Sequence, residues 1–472
     1  MRSVNHLEFN GTELQRTIIV LDEALLLLNV FSSTGVSLFR LLRRALRNRQ
    51  VAPYIFLVLI DTASTLSNFV PSQSVDPSAR DCGKLLFDPF FRLTTWDVMK
   101  PFTYLTALDF FQLGRPLWAT YPDQVASKIQ SFAKNKLFGG FNRFSDVSHK
   151  RYLHTAMSVI GSRIGGLVPL RFSLASELVA GYMATCLNVS PDRESITAAF
   201  PSEPALAAGA ALAMDDSQVL VTFLACLRDA MQNGEVSAGY RGELVARLLL
   251  LLCYDYFCSD DDPLPRVPLV SFLEKFGAQI TFEVDTSDLY VRFNHFIPLT
   301  QSVSLDHLSA AANRGAALHF KPGQPGGDGA VPIFNNENVV VGAMSYQAKN
   351  IGSSLHDSHW PQSASSMLHC SHIYANDDLT PSFVNNSVGL YLQMGAPRTL
   401  FFVTAGTELL SVTTRSATQN YNQHNALFGM KYPFLDDTVV VALKSLLLIR
   451  DQAGASSDSK WWSKIFPLDC LD

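Results

Sequence analysis

Hydrophobic and polar positions repeat with two different periods along the N-terminal part of this chain. Apolar, β-branched runs at Thr17–Leu21 and at residues 54–60 predict two buried strands, and each run ends in polar residues. Between them, leucines recur at helical spacing over residues 37–50, which predicts an amphipathic helix. Strands that are separated by a helix favour a parallel sheet, so residues 1–125 are predicted to form an α/β domain.

The pattern becomes mainly helical over residues 126–275. An Ala-rich run at 205–213, an amphipathic run at 217–232 and a strongly apolar run at 241–257 each predict a helix. Core packing is the simplest role for the last of these, because apolar residues surround almost its whole circumference. The acidic, proline-containing stretch 259–263 is the best candidate for a linker.

Strand patterns return over residues 276–450, and a polar tail covers residues 451–472. Strands are predicted at residues 280–284, 331–334, 339–344, 400–404 and 438–442, and a helix at residues 305–320. The chain is therefore predicted to be an α/β multidomain protein with an α/β domain at each end and a helical region between them.

The segment from Asp328 to Asn350 has the pattern of a β-hairpin with polar ends. Two apolar runs flank the polar turn at residues 335–338, with Asp328 before the first and Gln347 and Lys349 at the end of the second. The ends of two antiparallel strands that lie away from the turn meet in space. Because residues two apart share a face of a strand, Gln347 and Lys349 are expected on one side.

Asp328, Gln347 and Lys349 are the candidate catalytic residues. Carboxylate and amide oxygens can hold Mg²⁺ or Mn²⁺, so Asp328 and Gln347 are the candidate metal ligands. Lys349 would supply a positive charge near an attacking water. A solvated hairpin with polar ends is the plain structural alternative for the same residues.

The Asp…Gln-x-Lys hairpin resembles the core of the restriction-endonuclease-like nuclease fold, PD-(D/E)XK. That resemblance implies a metal-dependent nuclease in which the acids hold Mg²⁺ and the lysine assists the attacking water or the transition state. Gln347 stands where the fold usually has an acid, which predicts weaker metal binding. A helical glutamate is also expected, and Asp306 and His307 are the candidates within the predicted helix 305–320.

A second motif lies at the N-terminal strand, where residues 17–21 are followed by Asp22 and Glu23. This resembles the Walker B strand of P-loop NTPases, and Thr62 after the next strand resembles a sensor residue. Asp22, Glu23 and Thr62 would then form a vestigial nucleotide site. The GxxxxGK[ST] loop that holds phosphates is not found before Thr17, so ATP binding and hydrolysis are not expected. A truncated or a degenerate NTPase module would account for this.

The order of these parts resembles the Crinkler-like proteins of fungi and oomycetes. The closest matches are the helix RGELVARLL from Arg241, the tetrapeptide Gln-Ala-Lys-Asn from Gln347, and the strand in which Asp328 precedes Pro332. The resemblance implies a P-loop NTPase module followed by a restriction-endonuclease-like domain, DNA as substrate, and a role as an effector or mobile-element protein. It also implies a protein partner or self-association through the NTPase-like module.

The composition of the chain limits where a DNA-binding surface and the cysteines can act, but it does not identify the function. The net charge of −5 gives no global basic field, so a DNA-binding surface would have to be local. Seven scattered cysteines without a C-x-x-C pair favour free thiols in a reducing compartment. No apolar run is long enough to span a membrane and no signal peptide is evident, which predicts an intracellular protein, with the nucleus as one location.

Three interpretations remain open on the sequence. The chain can be a metal-dependent DNA nuclease with a degenerate NTPase module. It can be a non-catalytic remnant that binds DNA or protein, which Gln347 and the missing phosphate loop both favour. It can also be a helical scaffold in which both motifs are accidental, and Asp328 would then lie far from Lys349.

Overall fold

The computed structural model describes residues 17–22, 24, 26–46, 54–60, 106–190, 195–237, 241–278, 285–324, 326–349, 373–374, 379–394, 408–415, 421–428, 430 and 432–449. The helices in these ranges are α1 (Leu26–Asn29), α2 (Leu38–Leu46), α3 (Ala107–Phe111), α4 (Pro116–Ala119), α5 (Ala126–Leu137), α6 (Tyr152–Ile164), α7 (Phe172–Gly181), α8 (Pro204–Met214), α9 (Ser217–Gln232), α10 (Arg241–Asp255), α11 (Leu269–Phe276), α12 (Leu305–Ala312), α13 (Pro381–Asn385) and α14 (Asp437–Leu447). The strands are β1 (Thr17–Leu21), β2 (Ile55–Leu59), β3 (Val168–Pro169), β4 (Thr185–Val189), β5 (Ile196–Ala199), β6 (Val236–Ser237), β7 (Val267–Pro268), β8 (Tyr290–Val291), β9 (His295–Pro298), β10 (Ala316–His319), β11 (Gly329–Phe334), β12 (Val340–Lys349), β13 (Val388–Gln393), β14 (Glu408–Arg415) and β15 (Tyr421–Phe428).

The two N-terminal strands pair in parallel, as the alternation of strand and helix predicts. The register runs from Thr17 opposite Ile55 to Leu21 opposite Leu59. Helices α1 and α2 lie between them in the chain, and Phe39 of α2 packs in a small cluster with Ala24. Parallel neighbours need such a crossover, because a tight turn reverses the chain and can join only antiparallel strands.

A mixed sheet forms the centre of the C-terminal half. Its described strands follow the order β14-β15-β13-β12-β11-β10-β9, and β8 pairs with both β11 and β7. Strands β10, β11 and β12 are antiparallel neighbours, whereas β13 is parallel to β12 and to β15. Strands β11 and β12 therefore lie in the interior of the sheet, and all six residues of β11 are buried.

Helices α5 to α10 pack together and against the sheet. Asp216 caps the start of α9, where its Oδ1 accepts hydrogen bonds from the backbone N–H groups of Gln218 at 2.9 Å and Val219 at 3.2 Å. The largest hydrophobic cluster runs from Phe110 to Ile449 and crosses the predicted boundary at residue 275 without a break. The helical region and the sheet thus share one core.

Helix α10 packs against the centre of the sheet and determines where its few charged side chains lie. Most of its residues are buried, and Leu244, Leu248 and Leu251 are fully so. Each buried leucine stabilises the fold by about 1.5–3 kcal/mol relative to an exposed one. This packing holds Glu243 and Arg247, one helical turn apart, close to β12.

Two sequence predictions in this half were wrong. Residues 438–442 lie in helix α14 instead of a strand, because Asp436 caps the helix with a hydrogen bond of 2.7 Å from the Thr438 N–H and five apolar residues of the helix are buried. Residues 305–320 do not form one helix: α12 ends at Ala312 and β10 follows. The predicted strands at 280–284 and 400–404 lie outside the described residues.

The mixed α/β architecture is confirmed. Helix α9 has the predicted bounds, and the predicted hairpin is present as β11 and β12, with β12 extending to Lys349. Among the described helices, none is by itself long and apolar enough to cross a bilayer; α8 and α9 meet that test only as a pair, and the pair is bent by 107°. The cysteines in the described ranges, at positions 186, 226, 253 and 258, are unpaired.

Candidate functional site at the end of the β11–β12 hairpin

Asp328 is fixed at the open end of the hairpin by its backbone and by its side chain. The ladder ends with Gly329 opposite Tyr346, and the Asp328 N–H donates to the carbonyl of Tyr346 at 2.9 Å. The Asp328 carboxylate accepts a hydrogen bond of 2.6 Å from the backbone N–H of Ala348. The carboxylate therefore lies against the C-terminal end of β12, next to Ala348 and one residue before Lys349.

The charges of Asp328 and Lys349 interact, so the structure brings these two predicted residues together. Burial raises the pKa of Asp328, whereas the hydrogen bond from Ala348 and the positive charges of Lys349 and Arg247 lower it. This proximity is the arrangement that the hairpin pattern predicts. The scaffold interpretation requires Asp328 and Lys349 to lie far apart, and they do not.

Gln347 is the third of the predicted residues, and it belongs to β12. Tyr346 interacts with Arg247 and Glu243 of α10, and its ring meets that of Phe296 in β9 edge-on at a centroid distance of 6.0 Å. Because side chains alternate along a strand, Gln347 lies on the face of β12 opposite Tyr346, which is the face that it shares with Lys349. It is buried, and its Oε1 has no hydrogen-bond partner in the part of the chain that the structure describes. Burial of an amide oxygen without a partner costs free energy. A hydrogen-bond donor or a cation that bound to this oxygen would recover that free energy.

Glu243 supplies a second carboxylate from helix α10. Burial, followed by the negative charge of Asp328, raises the pKa of Glu243 to about 7, against the lowering effects of Arg247 and Lys349. Two carboxylates that repel each other in a partly buried place favour either a proton or a bound cation. The site therefore contains an acid that titrates near neutral pH.

His319, the last residue of β10, touches both acidic residues. Its Nδ1 lies 3.1 Å from the backbone carbonyl oxygen of Asp328, and its Nε2 lies 3.5 Å from Oε2 of Glu243. Burial and then the charge of Arg247 hold the pKa of His319 well below its usual value. A neutral imidazole therefore stands between the two acids.

Arg247 and Tyr346 are the buried members of the cluster, and both interact with Glu243 and Asp328. Arg247 is 1 % exposed, and its Nε and Nη1 have no hydrogen-bond partner among the described residues. Burial lowers the pKa of Arg247, and the neighbouring Tyr346, Glu243 and Asp328 raise it. The Tyr346 hydroxyl is likewise buried and without a partner there, and burial raises its pKa. The cluster is held together by charge more than by complete hydrogen bonding.

The helical acid that interacts with Asp328 is Glu243 of α10, whereas the sequence suggested Asp306 or His307 of α12 as candidates. Asp306 is exposed in the first turn of α12, and His307 closes that turn by accepting a hydrogen bond of 3.0 Å from the Ser304 N–H. Glu243 and Arg247 were missed, because their helix was assigned to core packing. Their signal in the sequence is an acid and a base four residues apart within an otherwise apolar helix.

The N-terminal candidates are only partly described. Asp22 follows the last residue of β1, and the Ile60 N–H donates to the carbonyl of Leu21 at 2.8 Å, so the two strand ends are adjacent. This is the edge at which ligands bind in parallel sheets. Glu23 and Thr62, the other members of the predicted vestigial nucleotide site, lie outside the described residues.

The residues of the hairpin cluster fit a hard divalent cation in type. Glu243 and Asp328 supply carboxylate oxygens, which Mg²⁺ and Mn²⁺ prefer, and their mutual repulsion is what a cation would relieve. Within the described residues, however, no three side chains of His, Cys, Asp or Glu are grouped closely enough to form a complete ligand set. Further oxygens would have to come from backbone carbonyls, water or a bound substrate.

These features define a mixed α/β protein with a cluster of buried acidic and basic side chains at the end of a sheet hairpin. The family described as domain of unknown function DUF8736 matches residues 142–449, which is more than half of the chain, and the chain belongs to that family. A second family, domain of unknown function DUF8735, matches residues 3–93. No curated protein and no solved structure matches the chain.

Proposed function

We propose that the chain is a metal-dependent nuclease that acts on DNA phosphodiester bonds. The observation that carries this proposal is the convergence of Asp328, Glu243 and Lys349 at the end of the β11–β12 hairpin. Two carboxylates beside a lysine are the groups that phosphodiester hydrolysis needs to hold a cation and to stabilise developing negative charge. The three residues come from two elements that are far apart in sequence.

Each residue has a separate part in this proposal. Asp328 and Glu243 hold a divalent cation, Mg²⁺ or Mn²⁺, which when bound lowers the pKa of a water and neutralises charge on the phosphate. Asp328 is kept in place by the N–H of Ala348, so its second oxygen stays available. Lys349 orients the attacking water or stabilises the phosphate oxygens. Gln347, which shares a face of β12 with Lys349, offers a buried amide oxygen that has no partner among the described residues.

The wider relationship to Crinkler-like proteins belongs to the same proposal. It rests on the motifs RGELVARLL from Arg241 and Gln-Ala-Lys-Asn from Gln347, which include Glu243 and Lys349 of the cluster, and on the parallel pair β1 and β2 in the N-terminal part. In this proposal Asp22, Glu23 and Thr62 are the remains of a nucleotide site. An effector or mobile-element role, contact with a protein partner or self-association through that module, and a nuclear location would follow.

A non-catalytic DNA- or protein-binding remnant is the second candidate, and one observation favours it. Gln347 stands where the resembled fold has an acid, so its amide adds no negative charge to the site. With only two carboxylates in the cluster, the affinity for Mg²⁺ would be low. Such a protein would bind its partner without needing a metal.

Cleavage of supercoiled and linear DNA, and of RNA of the same sequence, with Mg²⁺ or Mn²⁺ tests the proposal. We expect metal-dependent cutting by the wild type and its loss in Asp328→Ala, Lys349→Ala and Glu243→Gln. Two matched controls should still cut: Asp306→Ala, which removes an exposed acid from α12, and Lys321→Ala, whose ammonium donates to Ser302 at 2.9 Å instead of entering the cluster.

The outcomes separate the two candidates. Cutting that fails in the three cluster variants and persists in both controls supports the nuclease and its site. Binding of DNA in EDTA by a folded wild type that never cuts would instead support the remnant. Cutting of RNA alone would keep the site and change the substrate class.

A further inference from the structure

We infer that a basic face, formed by α5, the loop after it and the start of α6, binds the phosphate backbone of DNA. The inference rests on the proposed function for its choice of DNA, and it names the surface that would hold this substrate. Six basic side chains define the basic face: Lys128, Lys134, Lys136, Arg143, Lys150 and Arg151.

The charge of the basic face contrasts with that of the whole chain. Residues 126–151 contain these six cations and one acid, Asp146, whereas the chain has a net charge of −5. Within the described residues none of the six cations pairs with a carboxylate, whereas Arg115 and Arg163 elsewhere each do so. The fold therefore leaves this positive charge available to an external anion, which is the local surface that DNA binding requires.

Contacts between the three segments make the basic face one continuous surface. Asn135, near the end of α5, donates from Nδ2 to Oδ1 of Asn142 at 2.8 Å, which holds the neighbouring Arg143 close to the helix. The guanidinium of Arg151 lies 5.8 Å from the centre of the Phe141 ring, which joins the same loop to the start of α6. The cations thus lie together in space as well as in sequence.

Aromatic rings hold two of the lysines in position. The ammonium of Lys134 lies 5.9 Å from the centre of the Phe138 ring, and that of Lys136 lies 5.2 Å from the centre of the Phe132 ring. A cation that is already held by a ring loses less conformational freedom when it binds a phosphate. These contacts favour binding without supplying a competing negative charge.

The start of α6 adds a second attraction for anions. The helix begins at Tyr152 without a side-chain cap hydrogen bond and without an acid in its first turn, and His149, Lys150 and Arg151 precede it. Basic residues at the positive end of a helix dipole repel it, so this arrangement costs free energy in the absence of an anion. A phosphate would interact favourably with both the dipole and the basic side chains.

The other exposed residues of this surface favour nucleic acid over a membrane or a protein partner. Residues 126–151 are all described, and none of their large hydrophobic side chains is exposed. Membrane surfaces and protein interfaces depend on such apolar anchors. The exposed neutral side chains are instead hydroxyls and an amide, which are common phosphate contacts: Ser131, Asn142, Ser145 and Ser148.

Helix α6 connects the basic face to the hairpin cluster. Its 13 residues span about 20 Å, at about 1.5 Å per residue. Just after its C-terminal end, a Cβ added to Gly166 would lie 3.8 Å from Nη1 of Arg247. The basic face and the cluster are therefore about 20 Å apart along α6, which corresponds to about six base pairs at about 3.4 Å each. A short duplex is long enough to reach both.

Binding of a duplex of about 20 base pairs to the full chain in EDTA, followed by fluorescence anisotropy at several salt concentrations, tests the inference without cleavage. Arg143→Gln combined with Lys150→Gln is the sharpest variant, because both side chains are exposed and make no ion pair within the described residues. Each lost phosphate contact reduces the slope of log affinity against log salt by about 0.9. We therefore expect a decrease of about 2 in the slope and binding at least about tenfold weaker near 0.1 M salt.

A matched control removes the same charge elsewhere. Lys275→Gln combined with Lys444→Gln changes one lysine in α11 and one in α14, and should leave both the slope and the affinity unchanged. Equal losses in the two double variants, or no DNA binding by the folded wild type, would overturn the inference. Binding of phosphatidylserine vesicles that falls in the Arg143 and Lys150 variant, while DNA binding does not, would overturn DNA as the partner.

The same proteins distinguish this inference from the proposed function. Asp328→Ala should bind DNA in EDTA as tightly as the wild type does, because the basic face is intact. A wild type that binds DNA through the basic face but never cuts it with Mg²⁺ or Mn²⁺ would support this inference and overturn the nuclease. Metal-dependent cutting with an unchanged KM and salt dependence in the Arg143 and Lys150 variant would overturn the basic face and leave the nuclease standing.

Discussion

Replacement of Glu243 by glutamine should stabilise the fold at alkaline pH while weakening the site. Glu243 sits in a place where burial and Asp328 raise its pKa from 4.5 to about 7. Glutamine has nearly the same shape and cannot ionise. The wild type must hold a charged carboxylate beside Asp328 above neutral pH, whereas the variant does not.

The sign and size of this effect follow from proton linkage. A raised pKa means that the folded state binds the proton more tightly than the unfolded state, so the stabilisation is present below pH 4.5 and is lost as pH rises through about 7. One pKa unit corresponds to about 1.4 kcal/mol. Between pH of about 5.5 and 8.5 the wild type should lose about 2 kcal/mol relative to Glu243→Gln, and somewhat less because the side chain is 19 % exposed.

The measurement is the free energy of unfolding in urea for both proteins at several pH values, with EDTA present to remove metal. The difference between the variant and the wild type is the relevant quantity, because groups that titrate equally in both cancel. Glu274→Gln, at an exposed position of α11, is the matched control and should change the free energy by less than about 0.5 kcal/mol at every pH.

A difference that does not vary with pH would refute the reasoning. It would mean that Glu243 is ionised in the folded protein over the whole range, hence well solvated or fully paired, and that it does not share a site with Asp328. A loss of stability in Glu243→Gln that grows with pH would reverse the sign and point to a carboxylate whose charge the fold needs.

Three further substitutions should change the stability of the fold in ways that follow from the packing. Arg247→Met removes the buried cation that lowers the pKa of both acids, so the pH at which the wild-type stability falls should move upward in the same urea titration. Gly329→Ala would push a methyl group into the Leu318 carbonyl and the Tyr346 hydroxyl, and thermal unfolding should show a loss of about 1–3 kcal/mol. Arg163→Ala breaks a buried pair whose two nitrogens lie 2.6 and 2.8 Å from Asp255, and should cost about 3–5 kcal/mol in the same assay.

Local sequence patterns were sufficient to predict those helices and strands that residues nearby in the chain determine. Helix α9 has its own cap at Asp216 and its own apolar stripe, and the hairpin has a polar turn between two apolar runs. Helix α14 shows where this fails. Its β-branched residues suit a strand, but Val439 and Val440 are buried together with three leucines at helical spacing against α9 and α10, and tertiary packing outweighs the local preference.

The same distinction explains which part of the candidate site was found. Asp328 and Lys349 meet because one turn joins their strands, so their proximity is a local property. Glu243 and His319 reach them through the packing of α10 on β12 and through the pairing of β10 with β11, and no local period specifies those contacts. Glu243 is unusual as an acid in an apolar helix, and this is visible in the sequence, but its neighbours are determined by the fold.

Buried polar side chains in the described core differ in how fully they are paired, and three of the ten buried polar atoms that lack a partner there belong to Arg247 and Tyr346. Arg163 is fully used, with two bonds to Asp255 and one of 2.9 Å to the carbonyl of Asn294. Glu203 accepts from Arg115 at 2.8 Å and from Trp118 at 3.0 Å. Arg292 lacks a partner for Nε, but its guanidinium lies 5.0 Å from the centre of the Phe110 ring. Around Glu243, by contrast, Arg247 has two unpaired nitrogens, although nearby acids offset its charge.

Buried groups that serve stability alone are normally satisfied, because each unpaired one costs free energy. Arg163 and Glu203 show that the fold can pair buried charges fully, whereas unpaired buried atoms occur at the cluster and also at single residues elsewhere, such as Arg266 and Tyr432. An ion or a substrate phosphate would supply the missing interactions of such a cluster. The incompleteness itself therefore favours a binding role for the hairpin end over a purely structural one.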